Sequence, residues 1–175
     1  MRFWRYLLLA CTDESIDGRS QILVATVSLG CPKNLVDAQS MLGLLKMRGY
    51  GFTADADLAD FIIVNTCGFI DTAKKESIDV ILDMAEKKTA GRRPALIVTG
   101  CLSERYRDQF AAELPEADAV LGTGEYGRIA DVVDALAIKD GRLSERFNER
   151  PSESSNESSN ERLKGRPPYQ ATIPD

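Results

Sequence analysis

Three short, continuous apolar runs constrain this chain more than any other feature of its 175 residues. Each run is rich in β-branched side chains and is followed within a few residues by a cysteine that has a glycine beside it. The runs occupy residues 22–29 (ILVATVSL), 61–64 (FIIV) and 95–98 (ALIV). Unbroken apolar runs of this length are typical of strands that are buried on both faces of a parallel sheet.

A stretch with helical periodicity follows each of these runs. The predicted helices cover residues 34–47, 71–88, 103–114 and 125–137. Asn34, Asp71 and Ser103 are predicted to cap the first three of them. Two further strands are predicted near residues 50–53 and at residues 119–121. Strands that alternate with helices predict an α/β fold with a doubly wound, flavodoxin-like parallel sheet.

The composition changes near residue 139, which suggests that the chain has three parts. Residues 1–21 form an N-terminal extension, residues 22–138 a single domain, and residues 139–175 a polar linker. The linker contains a near-repeat of Ser, Asn and Glu with almost no apolar side chains, so it is predicted to be disordered. A polar linker with nothing after it predicts that a further domain is missing.

Histidine does not occur in the sequence, and its absence excludes several kinds of site. Ser/His and Cys/His catalytic pairs, Cys/His zinc fingers and haem with a proximal His all need this residue. Residues 22–138 carry 12 Lys and Arg against 17 Asp and Glu, which accounts for the whole net charge of −5. We expect no direct nucleic-acid binding from so acidic a domain, because phosphate contacts need clustered basic side chains.

No apolar run approaches the roughly 18 residues that a membrane-spanning helix requires. The start of the chain, residues 1–11 (MRFWRYLLLAC), has its apolar stretch at residues 6–10. This stretch is shorter than the about 7–15 residues of a secretion signal. We therefore expect a cytoplasmic monomer without membrane contact. In that compartment cysteines are more often metal ligands or catalytic groups than disulfides.

Cys31, Cys67 and Cys101 each follow the end of one predicted strand. The carboxyl ends of parallel strands meet at one edge of a sheet, where the ligand sites of open α/β sheets lie. These three thiols are therefore expected to converge. Each has a glycine neighbour, which lets the backbone approach a bulky inorganic ligand closely. Their places at helix N-termini also predict lowered thiol pKa values.

Three convergent cysteines leave several interpretations open. A disulfide uses only two of them, and structural zinc needs a fourth ligand, for which Cys11 in the extension is the remaining cysteine. An iron–sulfur cluster held by three cysteines keeps one iron open to an outside ligand. Packing of small apolar thiols is the interpretation without a metal. The spacing alone does not choose the metal.

Residues 122–124 (GTG), before the fourth predicted helix, are similar to a phosphate-binding loop. They lack a full dinucleotide fingerprint, and a tight turn followed by a helix start explains them as well. A flavodoxin-like module that binds a flavin or a nucleotide at the same edge of the sheet is therefore a second interpretation of the domain.

The residues around the three cysteines resemble the N-terminal domain of the methylthiotransferases, a family of radical S-adenosylmethionine enzymes. The matching motifs are residues 28–37 (SLGCPKNLVD), 65–70 (NTCGFI) and 99–103 (TGCLS), and the resemblance runs from about residue 22 to residue 137. Cys-Pro-Lys-Asn in the first motif, Cys-Gly-Phe-Ile-Asp in the second, and residues 121–126 (LGTGEY) resemble the branch that modifies an aspartate of a ribosomal protein. The tRNA-modifying branch, which usually has Cys-Gln-x-Asn at the first motif, is the alternative within the family.

The resemblance implies that Cys31, Cys67 and Cys101 hold an auxiliary [4Fe-4S] cluster with one open iron. It also implies a second [4Fe-4S] cluster, in a central domain, that cleaves S-adenosylmethionine to a radical. The radical would take hydrogen from the β-carbon of an aspartate on a small-subunit ribosomal protein, which is the implied partner. The auxiliary cluster would present the sulfur, and a second S-adenosylmethionine would supply the methyl group.

The sequence departs from the full family pattern in one major respect. It has no CxxxCxxC motif, which in the family holds the radical-generating cluster. We therefore expect no catalytic residue in this chain, and we expect S-adenosylmethionine and the second cluster to belong to the missing domain. The chain is then expected to bind the auxiliary cluster but to be inactive by itself.

Overall fold

The fold is built on one parallel β-sheet with helices against both faces. The computed structural model describes residues 22–89 and 94–143. The strands are β1 (Leu23–Ser28), β2 (Gly51–Phe52), β3 (Phe61–Thr66), β4 (Ala95–Gly100) and β5 (Ala119–Leu121). They lie in the order β2-β1-β3-β4-β5, and each neighbouring pair is parallel. This order is the flavodoxin-like, doubly wound arrangement that the sequence predicted.

The helices divide between the two faces of the sheet. They are α1 (Pro32–Met47), α2 (Asp71–Thr89), α3 (Cys101–Arg105), α4 (Arg107–Glu113) and α5 (Ile129–Lys139), with a 3-10 turn at Tyr126–Arg128 before α5. Met41 of α1 and Val133 of α5 are buried in one apolar cluster. Val80 and Ile81 of α2 are buried in a second cluster. The sheet therefore separates two cores.

Strand β3 shows why the apolar runs in the sequence are continuous. Phe61 and Ile63 lie in the cluster with α1 and α5, whereas Ile62 and Val64 lie in the cluster with α2. All six residues of β3 are buried. Because successive side chains of a strand point to opposite faces, a strand covered on both faces is apolar at nearly every position.

The register brings the carboxyl ends of β1, β3 and β4 to one edge of the sheet. Ser28 in β1 pairs with Asn65 in β3, and Asn65 pairs with Thr99 in β4. The three strands therefore end at nearly the same level. The connections that follow them carry the three cysteines.

Helix α1 begins earlier than the sequence predicted. It starts at Pro32, and its N-cap residue Cys31 makes no side-chain capping hydrogen bond. Proline suits this position because the first helical N–H groups have no partner inside the helix and the ring already holds a helical φ. The prediction that Asn34 caps α1 is therefore wrong. Asn34 lies in the first turn, and its side chain is hydrogen-bonded to the strand ends instead.

The predicted helix over residues 103–114 consists of two short helices. Helix α3 begins at Cys101, so Ser103 lies inside it and does not cap it. Tyr106, with φ of −120° and ψ of 32°, interrupts the helical backbone before α4 begins. Ser103 Oγ lies 2.9 Å from the carbonyl oxygen of Gly100 and 2.7 Å from that of Leu121. This hydroxyl ties α3 to the ends of β4 and β5.

Folded structure continues beyond residue 138. Helix α5 ends at Lys139, Leu143 is buried in the cluster with α1 and α5, and the Arg142 guanidinium donates to the carbonyl oxygen of Asp60 at 2.8 Å. The three-part division of the chain stays a prediction. The extension with Cys11 and the segment from residue 144 lie outside the described residues. Within residues 22–89 and 94–143, no helix has the length and apolar character needed to cross a membrane.

Candidate metal centre

Three free thiols lie at the carboxyl edge of the sheet, and two of them contact the amide of Asn34. Asn34 Oδ1 accepts from Cys101 Sγ at 3.7 Å and from Cys31 Sγ at 4.0 Å. A Cβ atom placed on Gly30 would lie 2.6 Å from Cys67 Sγ and 3.6 Å from Asn34 Nδ2. The fold therefore brings together the three cysteines that the sequence singled out. We call these three cysteines and Asn34 the cysteine site.

Asn34 is fully buried and joins the turn after β1 to the end of β3. Its Nδ2 donates to the carbonyl oxygens of Leu29, at 2.8 Å, and Thr66, at 2.9 Å. Its own backbone carbonyl accepts from Asn65 Nδ2 at 2.7 Å. Because a carbonyl oxygen can only accept, both neighbours must face the N–H side of the amide. This requirement directs Oδ1 toward the thiols.

Cys67 is buried, and a serine of α2 fixes its backbone. The Cys67 N–H donates to Ser77 Oγ at 3.1 Å, and Ser77 Oγ donates to the Cys67 carbonyl at 3.2 Å. Ser77 is itself fully buried. One hydroxyl thus satisfies both backbone groups of a residue that stands just past the end of the sheet, where buried backbone groups need side-chain partners.

Two glycines beside the cysteines have backbone conformations that other residues rarely adopt. Gly30 has a φ of 91°, and Gly100 has a φ of 111°. A Cβ on Gly100 would lie 2.6 Å from Asn65 Oδ1 and 2.7 Å from the backbone nitrogen of Thr66. Glycine is needed at both places for the turn and for the close packing of adjacent strand ends.

The electrostatic surroundings of Cys31 and Cys101 differ. The backbone N–H groups of Asn34 and Lys33, together with the Lys33 ammonium, lower the pKa of the exposed Cys31 thiol. Burial raises the pKa of Cys101, although Lys33 acts in the opposite direction. The prediction of lowered pKa values is therefore confirmed for Cys31 and wrong for Cys101, where desolvation outweighs the neighbouring charge.

The three thiols of the cysteine site suit a metal cluster in which each sulfur binds a different metal atom. Among residues 22–89 and 94–143, no three Cys, Asp or Glu side chains meet closely enough to ligate a single metal ion. The cysteines of an iron–sulfur cluster bind different irons, so their sulfurs surround the cluster and need not meet at one point. A Cβ on Gly68, next to Cys67, would lie 3.0 Å from the Cα of Leu102, so a glycine there lets the Cys67 turn pack closely against α3.

The loop after β5 is closed by carboxylates of the chain itself. The Gly122 N–H donates to Glu125 Oε2 at 2.9 Å, and Arg107 Nη2 donates to the same oxygen at 2.7 Å. A Cβ on Gly122 would collide with the Glu104 carboxylate. A bound phosphate would have to displace these groups, so the geometry favours a tight turn over a nucleotide-binding loop.

A family model described as "Uncharacterized protein family UPF0004" matches residues 23–122 of the chain. The chain belongs to this family. The UPF0004 match extends from β1 to β5 and includes Cys31, Cys67, Cys101 and Asn34. The family is therefore defined over the same segment that forms the cysteine site.

Curated relatives of this UPF0004 chain are named "Ribosomal protein uS12 methylthiotransferase RimO". The chain is 59% identical to the relative from Geobacter sulfurreducens over 111 residues, which are 63% of this chain and 25% of that protein. It is 54% identical to the relative from Trichlorobacter lovleyi over 110 residues, 63% of this chain and 24% of that protein. The match to the Geotalea uraniireducens relative is 50% over 150 residues, 86% of this chain and 33% of that protein. The chain thus spans about a quarter to a third of the length of these relatives.

The polar residues that hold the cysteines were harder to recognise in the sequence than the cysteines themselves. The sequence pattern predicts a helix cap at Asn34, and it does not distinguish Ser77 from the other polar residues of α2. One signal was present at the end of β3, where Asn65 and Thr66 follow an apolar run. Both are fully buried, and buried polar groups need specific hydrogen-bond partners.

Proposed function

We propose that this chain is the auxiliary-cluster domain of a methylthiotransferase, in which Cys31, Cys67 and Cys101 are the ligands of a [4Fe-4S] cluster. The observation that carries the proposal is the convergence of free thiols from three different strand ends, two of them at the buried amide of Asn34 and the third beside Gly30. Membership of the UPF0004 family and the names of the relatives support the methylthiotransferase assignment. Three protein ligands leave one iron of such a cluster open.

The cysteines of the site differ in exposure, in hydrogen-bond partners and in neighbouring charge. When bound, a cluster with one open iron supplies a position at which sulfur is held for transfer. Cys31 is exposed and marks the open side of the site, whereas Cys67 is buried and is fixed by Ser77. Lys33 and the first N–H groups of α1 stabilise the thiolate of Cys31, which is the form that binds a metal.

The substrate and remaining cofactors of the whole protein are further parts of the proposal. The names of the relatives indicate ribosomal protein uS12 as the substrate, and the family resemblance indicates one of its aspartates. S-adenosylmethionine and a second [4Fe-4S] cluster would bind outside this chain, which has no CxxxCxxC motif. The net charge of −5 suits a basic protein partner better than RNA. We propose that the domain acts in the cytoplasm as a monomer.

Anaerobic reconstitution of the full chain tests the ligand assignment. The protein is purified without oxygen and incubated with iron and sulfide, and its absorption spectrum and iron content are then measured. We expect a brown protein with about four irons per chain, as a [4Fe-4S] cluster requires. Cys31→Ser, Cys67→Ser and Cys101→Ser should each lose this iron, whereas the matched control Cys11→Ser should retain it.

Other outcomes of this experiment point to other functions. Full iron retention in one of the three site variants, or loss of iron in Cys11→Ser, would overturn the ligand assignment. A colourless protein with one zinc per chain would replace the cluster with a structural metal. A yellow flavin spectrum that survives all four substitutions would identify a flavodoxin-like binding module instead.

A further inference from the structure

The amide of Asn34 has only one orientation available in the fold. Its two Nδ2 protons meet the carbonyl oxygens of Leu29 and Thr66 at 2.8 and 2.9 Å. Rotation of the amide by 180° would set Oδ1 against both carbonyls, and three acceptors would then face one another in a buried place. The oxygen is therefore directed to Cys101 Sγ and Cys31 Sγ.

Among the twenty side chains, asparagine is the one that fits these contacts. The position needs two donors directed at the strand ends and one acceptor directed at the thiols. Aspartate has no N–H to donate, and alanine has neither group. Glutamine carries the same amide on a longer stem, which a fully buried position does not accommodate without displacing its neighbours.

We propose that Asn34 is a positioning residue of the cysteine site, which ties the turn that carries Cys31 to the end of β3 through its Nδ2 and keeps the reduction potential of the bound cluster low through its Oδ1. The inference rests on the proposed function, since it concerns the cluster that the three cysteines would hold. It adds a role for a side chain that is not itself a ligand. Residues just outside the ligand set of a metal site commonly fix the ligands in this way.

The expected effect on the potential follows from the direction of the amide dipole. Hydrogen bonds to the sulfurs are among the factors that set the potential of an iron–sulfur cluster. Hydrogen-bond donors raise the reduction potential because they stabilise the negative charge that reduction adds to the cluster. Both N–H bonds of the Asn34 side-chain amide are used by backbone carbonyls, and its partly negative oxygen faces the thiols. Asn34 therefore opposes the addition of an electron.

Asn65 offers a matched control on the neighbouring strand. It is also a fully buried asparagine, and its Nδ2 donates to the backbone carbonyl of Asn34 at 2.7 Å. Asn65→Ala thus loosens the same turn while the Asn34 amide remains in place. A purely structural role of Asn34 would make the two substitutions equivalent.

The experiment compares the wild-type full chain with Asn34→Ala, Asn34→Ser and Asn65→Ala. Circular dichroism of the metal-free proteins reports folding. After reconstitution with iron and sulfide, chelator competition reports the rate of iron loss, and a redox titration followed by electron paramagnetic resonance reports the midpoint potential. We expect both Asn34 variants to lose iron about 10–100-fold faster than wild type, which matches the loss of metal affinity that is usual when a residue just outside the ligand set is replaced. Their midpoint potentials should rise, whereas that of Asn65→Ala should not.

Several results would overturn the role of Asn34. They are a wild-type potential in both folded Asn34 variants, an equal rise in Asn65→Ala, or failure of both Asn34 variants to fold while Asn65→Ala folds. The last result would make Asn34 a residue of the fold alone. If the wild-type chain takes up no iron, the proposed function fails and this inference fails with it. If wild type loads and the Asn34 variants match it, only this inference fails.

Discussion

Replacement of Gly30 by alanine tests whether the turn between β1 and α1 depends on its close packing against Cys67. Gly30 has a φ of 91°, and an L-residue in a left-handed conformation costs roughly 1–2 kcal/mol. The added Cβ would lie 2.6 Å from Cys67 Sγ, where ordinary contact begins at 3.4 Å. Cys67 cannot withdraw easily, because its own Cβ is also in the way and Ser77 holds its backbone.

The free energy of unfolding should therefore fall substantially in Gly30→Ala. Overpacking of a well-filled core typically costs about 1–3 kcal/mol, which adds to the conformational cost to give about 2–5 kcal/mol. Domains are stable by only about 5–15 kcal/mol in total. The distortion falls on Cys67 itself, so iron binding at the cysteine site should be lost even where the domain still folds.

Gly43, on the exposed side of α1, provides a control of the opposite sign. No described atom lies within 4 Å of a Cβ added there, so Gly43→Ala should stabilise the protein by about 0.5–1 kcal/mol through helix propensity. Urea denaturation of the metal-free chains, followed by circular dichroism, measures both changes. A Gly30→Ala protein within about 0.5 kcal/mol of wild type, with unchanged iron content, would mean that the turn does not need a glycine packed against Cys67.

Three further predictions concern the cysteine site, the contacts at the C-terminal end of α1, and the reaction. Ser77→Ala leaves the buried backbone of Cys67 without these partners, so it should cost about 1–3 kcal/mol in urea denaturation and accelerate iron loss to a chelator. Asp134→Asn weakens the buried contacts of that carboxylate to Arg48 and Tyr50. Because the Arg48 side chain is 36% exposed, we expect a loss of about 1–3 kcal/mol, less than for a fully buried pair, and an unchanged iron content. The reconstituted chain with S-adenosylmethionine, a reductant and uS12 should leave the mass of uS12 unchanged in mass spectrometry.

A contrary result in any one of these three experiments would overturn the structural explanation behind that prediction. Wild-type stability and iron retention in Ser77→Ala would mean that other groups hold Cys67. Iron loss in Asp134→Asn would mean that the network between α1 and α5 supports the cysteine site. An increase in the mass of uS12 would place the S-adenosylmethionine chemistry inside this chain.

The strands and the positions of the cysteines were predictable because they depend on local pattern. Each apolar run of the sequence overlaps a strand of the fold, and residues 119–121 form β5 as predicted. Parallel strands share one carboxyl edge, so a cysteine after each of three strands has to lie near the others. The helix starts were less predictable, because Asn34 and Ser103 have the side chains of helix caps but find hydrogen-bond partners outside their helices.

Local sequence pattern is enough to predict the α/β class of the fold, the turns after the strands and the places of the cysteines. Those properties come from side-chain periodicity and from chemistry that each residue carries alone. Only the tertiary structure shows that the Asn34 amide donates to the carbonyl of Thr66, 32 residues away, and that Ser77 accepts from the Cys67 N–H. The tertiary structure also shows that Cys101 is partly buried while Cys31 is exposed. Hydrogen bonds and burial of this kind depend on which distant residues the fold places beside one another, and no local pattern specifies those neighbours.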